Sequence, residues 1–285
     1  MKCLVLINLM SGNGKRLKED DGLFVKLRRR YQQIDVREIN AKDGFLDIKA
    51  CATGYDAVVV CGGDGTFHHA LNALNGTGID LMYVPCGTLN DAAHTLGLKG
   101  NTEEGYVRMD LGELNGTVYS YVAATGTFTP IGYLPRPNVK RIFGRLVYYF
   151  YAFKEYRRWF IPATVIKDGE RLESTYTLIM AVNSKYVFGF PFNRAYRPDD
   201  GKGYLLLIDT PKGPFWWLTM FFRFFRAFFI GFKKEYRKKH MQFLPFERLT
   251  VTTDCITDYC VDGERYEGKR ESYFRIRKQE GKILK

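Results

Sequence analysis

Val58-Val59-Val60-Cys61-Gly62-Gly63-Asp64-Gly65-Thr66 is the stretch whose reading decides the fold. A β-branched strand runs here into a glycine turn that carries one carboxylate. Glycines let backbone N–H groups approach an anion closely, Asp64 can reach a metal ion, and Thr66 can cap the helix that begins beside it. The segment therefore predicts a phosphate-binding strand end, although alone it fits an ordinary βα turn about as well. Two further stretches shift that balance. Pro85-Cys86-Gly87-Thr88-Leu89-Asn90-Asp91 follows a strand pattern over 79–84, and Asn8-Leu9-Met10-Ser11-Gly12-Asn13-Gly14-Lys15 follows one over 3–7. Consecutive strands of a parallel sheet place such turns at one carboxyl edge, where open α/β folds bind their ligands.

Neither standard nucleotide fingerprint fits. Gly12 to Lys15 lacks P-loop spacing, and Gly63-Asp64-Gly65 is followed by His68 where a third dinucleotide-binding glycine belongs. The turns instead resemble those of the diacylglycerol kinase catalytic domain family, shared with sphingosine and ceramide kinases and with bacterial lipid kinases. Its glycine signature is similar to Gly62 through Thr66, its proline-glycine-threonine-asparagine-aspartate turn to Pro85 through Asp91, and its first turn to Asn8 through Gly12. Val107 to Gly112 and Asp262-Gly263-Glu264 look like two later elements of the family, in the same order along the chain.

The resemblance implies a two-domain kinase that uses ATP and Mg2+ to phosphorylate a hydroxyl of diacylglycerol or a related lipid. It implies nucleotide contacts at Asn8, Ser11, Gly12, Asn40, Gly62, Gly63, Asp64, Gly65, Thr66, Gly87, Thr88 and Asn90. Phosphoryl transfer needs neutralised phosphate oxygens and an acceptor for the hydroxyl proton. Asp64, with Asp91 or Asp110, is the expected magnesium site, and turn capping is the duller reading of each aspartate. Glu264 is the expected base, with Asp262 orienting it or tying it to the metal; a plain β-turn is the local alternative. Arg197 to Lys202 resembles a metal-binding loop of some bacterial members, through Asp200 and the carbonyls of Arg197 and Lys202.

Four departures from the family pattern bear on substrate choice and turnover. They are Leu9 for proline, His68-His69 for asparagine and glutamate, Asn40 for threonine and Thr129 for aspartate. The adjacent histidines point about 100° apart on a helix and read as packing or surface residues. Rival readings are a soluble kinase resembling NAD kinases or sugar kinases, and a nucleotide- or lipid-binding protein without turnover. The turn at Pro85 to Asp91 and the late Asp262-Gly263-Glu264 favour the lipid kinase.

Alternation of strands over 3–7, 34–39, 57–61 and 79–84 with helices over 15–31, 43–53, 66–75 and 90–96 predicts a doubly wound parallel sheet in an α/β domain spanning 1–98. A mainly antiparallel, sandwich-like β domain is expected over 99–285, beyond a polar linker at 99–102. Its strands are expected over 107–114, 118–124, 163–167, 174–183, 203–209, 248–253, 258–261 and 272–277, with Asn115-Gly116 as a hairpin turn. The resemblance suggests that the last strand, about 273–285, returns to the first domain. Helices are expected over 139–158 and 215–239.

The chain has 285 residues, 46% hydrophobic and 26% charged, the balance of a folded globular protein. Its formal charge of +12 draws it toward anions. Six dispersed cysteines suit a reducing cytosol rather than a disulfide scaffold. Neither a secretion signal nor a transmembrane run is read from the sequence, so membrane contact is expected to be peripheral, at the inner face. The 215–239 segment mixes aromatics with Arg223, Arg226, Lys233, Lys234, Arg237, Lys238 and Lys239, which predicts either an amphipathic helix on an anionic membrane or a packed helix with a basic end. No nucleic-acid motif accompanies these residues. A homodimer is compatible with the sequence and not required by it.

Overall fold

The computed structural model describes residues 1–11, 22–39, 47–87, 89–98, 105–132 and 155–284. Gly12, Asn40 and Thr88 lie outside them, as do the 99–102 linker, the start of the helix expected over 15–31 and the helix expected over 139–158 as far as residue 154. The chain divides into two compact units. One holds the described residues of Met1–Arg108 and Gly281–Lys285, the other those of Met109–Arg136 and Leu146–Glu280.

In the first unit the order is β1 (Lys2–Asn8), α1 (Gly22–Arg30), β2 (Gln33–Ile39), α2 (Ile48–Ala52), β3 (Ala57–Gly62), α3 (Asp64–Leu74), β4 (Asp80–Pro85) and α4 (Asp91–Thr95). The strands pair in parallel in the order β2-β1-β3-β4. Beyond β4, Ile283 and Leu284 pair in parallel with Leu81 and Met82, the return that the family resemblance suggested. Cys3 to Leu6 and Val58 to Cys61 are wholly buried, as near-continuous apolar runs of a sheet covered on both faces must be. Phe24 and Leu27 of α1 pack on the face of Cys3, Val5, Ala57 and Val59, while α2 and α3 pack on each other. Right-handed crossovers explain the division, because the path from β1 to β2 and the path from β2 to β3 run in opposite directions across the sheet. The order reverses between β1 and β3, which marks the ends of these two strands as the crevice of the fold.

In the second unit the strands after β5 (Tyr106–Leu114) are β6 (Thr117–Tyr119), β7 (Val122–Gly126), β8 (Ile161–Lys167), β9 (Glu170–Val182), β10 (Gly203–Asp209), β11 (Tyr236–Lys238), β12 (Met241–Phe246), β13 (Arg248–Thr253), β14 (Tyr259–Val261), β15 (Glu264–Tyr266) and β16 (Glu271–Leu284). One path runs β11-β12-β10-β9-β8-β13-β16, and β7, β14 and β15 branch from β9. The branch exists because β9 is long: its first half pairs with β8 and its second half with β7. Alternate residues such as Val165, Tyr176, Ile179, Leu205, Val251 and Phe274 fill the core. Asn115-Gly116 turns as expected, both residues at positive φ (48° and 93°) as a two-residue hairpin requires.

Two sequence expectations are corrected here. The strand expected over 118–124 is broken at Ser120 and Tyr121, whose N–H groups bond to Asp262. The helix expected over 215–239 is shorter: α5 (Trp216–Phe224) continues as one π-helical turn, Phe225–Ile230, and stops. Gly231 adopts φ 67°, and a Cβ there would sit 2.7 Å from the Phe192 carbonyl oxygen. Phe232 is then drawn into the core, stacked on Phe243 at 4.2 Å between ring centroids, and the basic residues behind it form β11 and its flanks. Aromatic runs suit helix and strand alike, so this tertiary stacking decides where one gives way to the other.

Candidate functional site

Asn8, Ser11, Gly62, Gly63, Asp64, Gly65, Thr66, Gly87 and Asn90 come together at the carboxyl ends of β1, β3 and β4, in the first unit. The two glycine turns touch directly. A Cβ on Gly87 would lie 2.6 Å from the Cα of Gly63 and 2.7 Å from the Asn90 side-chain oxygen, and one on Gly62 would lie 2.5 Å from Thr66. Asn90, in the left-handed region at φ 55°, closes the second turn by accepting from the Gly87 N–H at 2.9 Å and donating to the Gly87 carbonyl at 2.9 Å. Replacing Gly87 by Ala is expected to destabilise this unit by about 1–3 kcal/mol, because the obstacle is backbone. An unchanged thermal midpoint would show that the two turns need not touch.

Asp64 opens α3, and its carboxylate accepts from the N–H groups of Asp91 and Ala92, both at 3.1 Å. It thus fastens the start of α4 to the start of α3. Thr66 does not cap the helix as expected: α3 begins two residues earlier, and the buried Thr66 hydroxyl accepts from the Asn8 side-chain amide at 2.8 Å. This bond ties the end of β1 to α3 across the crevice. The Asn8 oxygen in turn accepts from the Met10 N–H at 2.9 Å, and Ser11 donates its N–H to the Asn8 carbonyl at 3.1 Å. The N-cap of α3 is Gly63, which has no side chain to bond the first turn, and a helix start of this kind is suited to an anion.

Tyr83 was not singled out in the sequence. Its ring stacks on Phe67 at 4.4 Å, and its hydroxyl lies 3.4 Å from the Asn90 oxygen. Burial first, then the charges of Asp64, Cys86 and Asp91, push that hydroxyl well above its ordinary range, so it stays a neutral donor. Its position on a β4 flanked by two polar turns was the available signal. On α3, His68 is buried, and burial and then His68 itself push His69 down to about 4. The unfolded chain, near 6.5, takes up its proton first. Stability should therefore be full above about pH 6.5 and decline toward pH 4, by at most about 1.4 kcal/mol per pH unit. Denaturant melts at pH 7 and pH 5 test this: if His69→Gln leaves the slope unaltered, His69 is not its source.

In the second unit Asp262 and Gly263 form the two-residue turn of the β14–β15 hairpin, at φ 49° and 90°. The Asp262 carboxylate is buried and accepts from the N–H groups of Ser120 at 2.6 Å, Tyr121 at 2.9 Å and Val122 at 3.0 Å, and from the Ser120 hydroxyl at 3.0 Å. Both its oxygens are used on the 120–122 link, so the side chain positions the hairpin through the backbone. Glu264, half-buried, opens β15 opposite Val261. The short turn Thr129–Gly132 lies against β14 and β15, and the Thr129 hydroxyl donates to the Gly126 carbonyl at 2.7 Å.

Asp110, in the second unit, is wholly buried. Its oxygens accept from Gly201 N–H at 2.5 Å and Gln279 N–H at 2.7 Å, and its own N–H donates to the Pro198 carbonyl at 2.6 Å. It pins the 197–202 loop, where Asp200 accepts from the Lys202 N–H at 3.0 Å. The Tyr196 hydroxyl is buried here and has no hydrogen-bond partner among the described residues. Burial, then the charges of Asp110, Asp200 and Asp199, push its pKa up, and burial chiefly raises that of Asp200. Among the described residues no group of three or more His, Cys, Asp or Glu side chains is arranged to hold a metal alone.

Parallel strands with glycine turns at a switch point and an antiparallel unit together define the fold class. Residues 2–120 match the family model described as the diacylglycerol kinase catalytic domain, which bears out the resemblance carried by the turns. A diacylglycerol kinase of Mycobacterium tuberculosis is 34% identical over 188 residues, 59% of this chain and 60% of that protein. One from Staphylococcus aureus is 25% identical over 162 residues, 53% and 51% of the two chains. The matches thus span between half and two thirds of these relatives. Among solved structures, one titled a putative diacylglycerol kinase from Bacillus anthracis superposes with TM-score 0.74 at 20% identity, covering 99% of this chain and 96% of that one. An NAD kinase from Archaeoglobus fulgidus in complex with ATP gives TM-score 0.51 at 11% identity, covering 100% and 94%. At such identities the two structures speak for the fold alone.

Proposed function

We propose that this protein is an ATP-dependent lipid kinase that transfers the γ-phosphoryl group to a hydroxyl of diacylglycerol or a related lipid. The observation that carries the reading is the contact of the Gly62–Gly63 and Gly87 turns at the switch point, beside the start of α3, whose N-cap is Gly63. Backbone N–H groups there suit the phosphates of a nucleotide. Mg2+ would supply charge neutralisation on phosphate oxygens. Asp64 would hold it, since a carboxylate at the turn where the phosphates would sit suits an ion that takes one or two carboxylates, phosphates and water. The 197–202 loop offers Asp200 and carbonyls to a second, structural cation. Glu264 takes the proton of the lipid hydroxyl as its oxygen bonds to the γ-phosphorus and the bond to the ADP oxygen breaks. The reading places the protein in the cytoplasm, at the inner face of a membrane.

Radiolabelled ATP with a panel of lipid alcohols in micelles tests the activity. Label transferred to NAD or a sugar and to no lipid would replace this reading with the soluble-kinase one. Asp64→Asn should lower turnover by about 10²–10³-fold. It should also lower the thermal midpoint slightly, because the new amide opposes an N–H donor. Turnover like the wild type would remove Asp64 from the metal site.

A further inference from the structure

The α5 segment with its π-helical turn is apolar on both faces. Met220, Phe224 and Ala227 point inward and are buried. Outward, Trp217, Phe221, Phe222 and Phe229 are each half or more exposed, and Phe225 is 42% exposed. Phe221, Phe225 and Phe229 form an exposed ladder, with successive rings stacked at 6.0 and 5.1 Å. The π turn keeps that ladder in line beyond the end of α5.

The polar residues of this segment do not dilute the outer stripe. Of the two sequence expectations, cations on head groups or a packed helix, Arg223 and Arg226 fit the second: both are half-buried. Arg223 donates to the Asp209 carbonyl at 2.7 Å, and Arg226 donates to the Gly231 carbonyl at 2.6 Å while lying over the Phe232 and Tyr236 rings. The Thr219 hydroxyl bonds back to the Phe215 carbonyl at 3.4 Å. A large uncharged patch of this kind marks an interaction surface. Positive charge follows it in the chain instead: Lys233, Lys234, Lys238 and Lys239 are exposed on β11 and its flanks, with Glu235 among them.

We infer that the outer stripe of α5 and the π turn is a wedge that enters the acyl boundary of a bilayer, with the lysines that follow it on anionic head groups. An apolar stripe followed by cations is complementary to an anionic lipid surface. A second copy in a two-fold contact would oppose the same lysines to themselves. The inference deepens the lipid-kinase reading by naming the surface that meets the acceptor, yet its test uses no nucleotide and no turnover, so the two can fail separately.

Cosedimentation of the full chain with phosphatidylcholine vesicles, with and without phosphatidylglycerol, is the test. Phe222→Ser and Phe229→Ser should each weaken binding to both vesicles by about tenfold, the loss of one inserted ring. Lys233→Gln with Lys234→Gln should weaken binding only to anionic vesicles, and high salt should abolish that difference. Brominated acyl chains should quench tryptophan emission, and Trp217→Phe should remove most of the quenching. Circular dichroism checks that these exposed substitutions leave the fold intact. Three results would overturn the inference: no binding to either vesicle, binding that the Phe variants leave unchanged, or a dimer in solution that the Phe variants dissociate.

Discussion

Glu264→Gln is expected to lower lipid phosphorylation by about 10²–10⁴-fold, the range for loss of a general base, while ATP affinity and thermal midpoint stay at wild-type values. Gln keeps the volume and the β14–β15 backbone pairing, in which Glu264 faces Val261, so what is removed is the proton acceptor. The effect should fall on kcat rather than on KM for the lipid. ATP titration by fluorescence and initial rates over a lipid series separate these quantities. A variant that turns over normally would send the base assignment to another carboxylate, and one that changes only KM would make Glu264 a binding residue.

Asp262→Ala should be the most destabilising single change in the second unit, at about 3–5 kcal/mol. It strips the acceptor from three N–H groups on the buried residues Ser120, Tyr121 and Val122, and it places Ala at φ 49°. Asp262→Asn tolerates that backbone conformation but turns one oxygen into a donor facing donors, so an intermediate loss is expected. Urea melts of the three proteins measure this directly. If the Ala variant melts with the wild type, the carboxylate is not what holds the hairpin, and a direct role beside Glu264 returns as the better reading.

Asp262 also shows where the sequence stops informing. Asp-Gly between short apolar runs announced a turn, and the turn is there. That its carboxylate reaches Ser120, 142 residues away, has no local signature. The same link explains why the strand expected over 118–124 is broken. Asp110 is a parallel case: nothing local in the sequence announces that its oxygens accept from Gly201 and Gln279, far along the chain. Thr66, read as a helix cap, bonds instead to Asn8 across the crevice.

The parallel sheet, its polar strand ends and the Asn115-Gly116 hairpin were determined by the sequence itself, because each rests on neighbours in the chain: β-branched runs, glycines where backbone must come close, residues that accept positive φ. The mainly antiparallel character of the second unit was legible for the same reason. What only the tertiary structure decided are the points at which distant groups compete for one segment. Phe232 leaves the helical run to stack on Phe243, Gly231 turns where a side chain would meet the Phe192 carbonyl, and Arg223 and Arg226 fold back onto carbonyls of their own unit. Those choices depend on which buried rings and oxygens stand opposite, and a one-dimensional pattern does not carry that information.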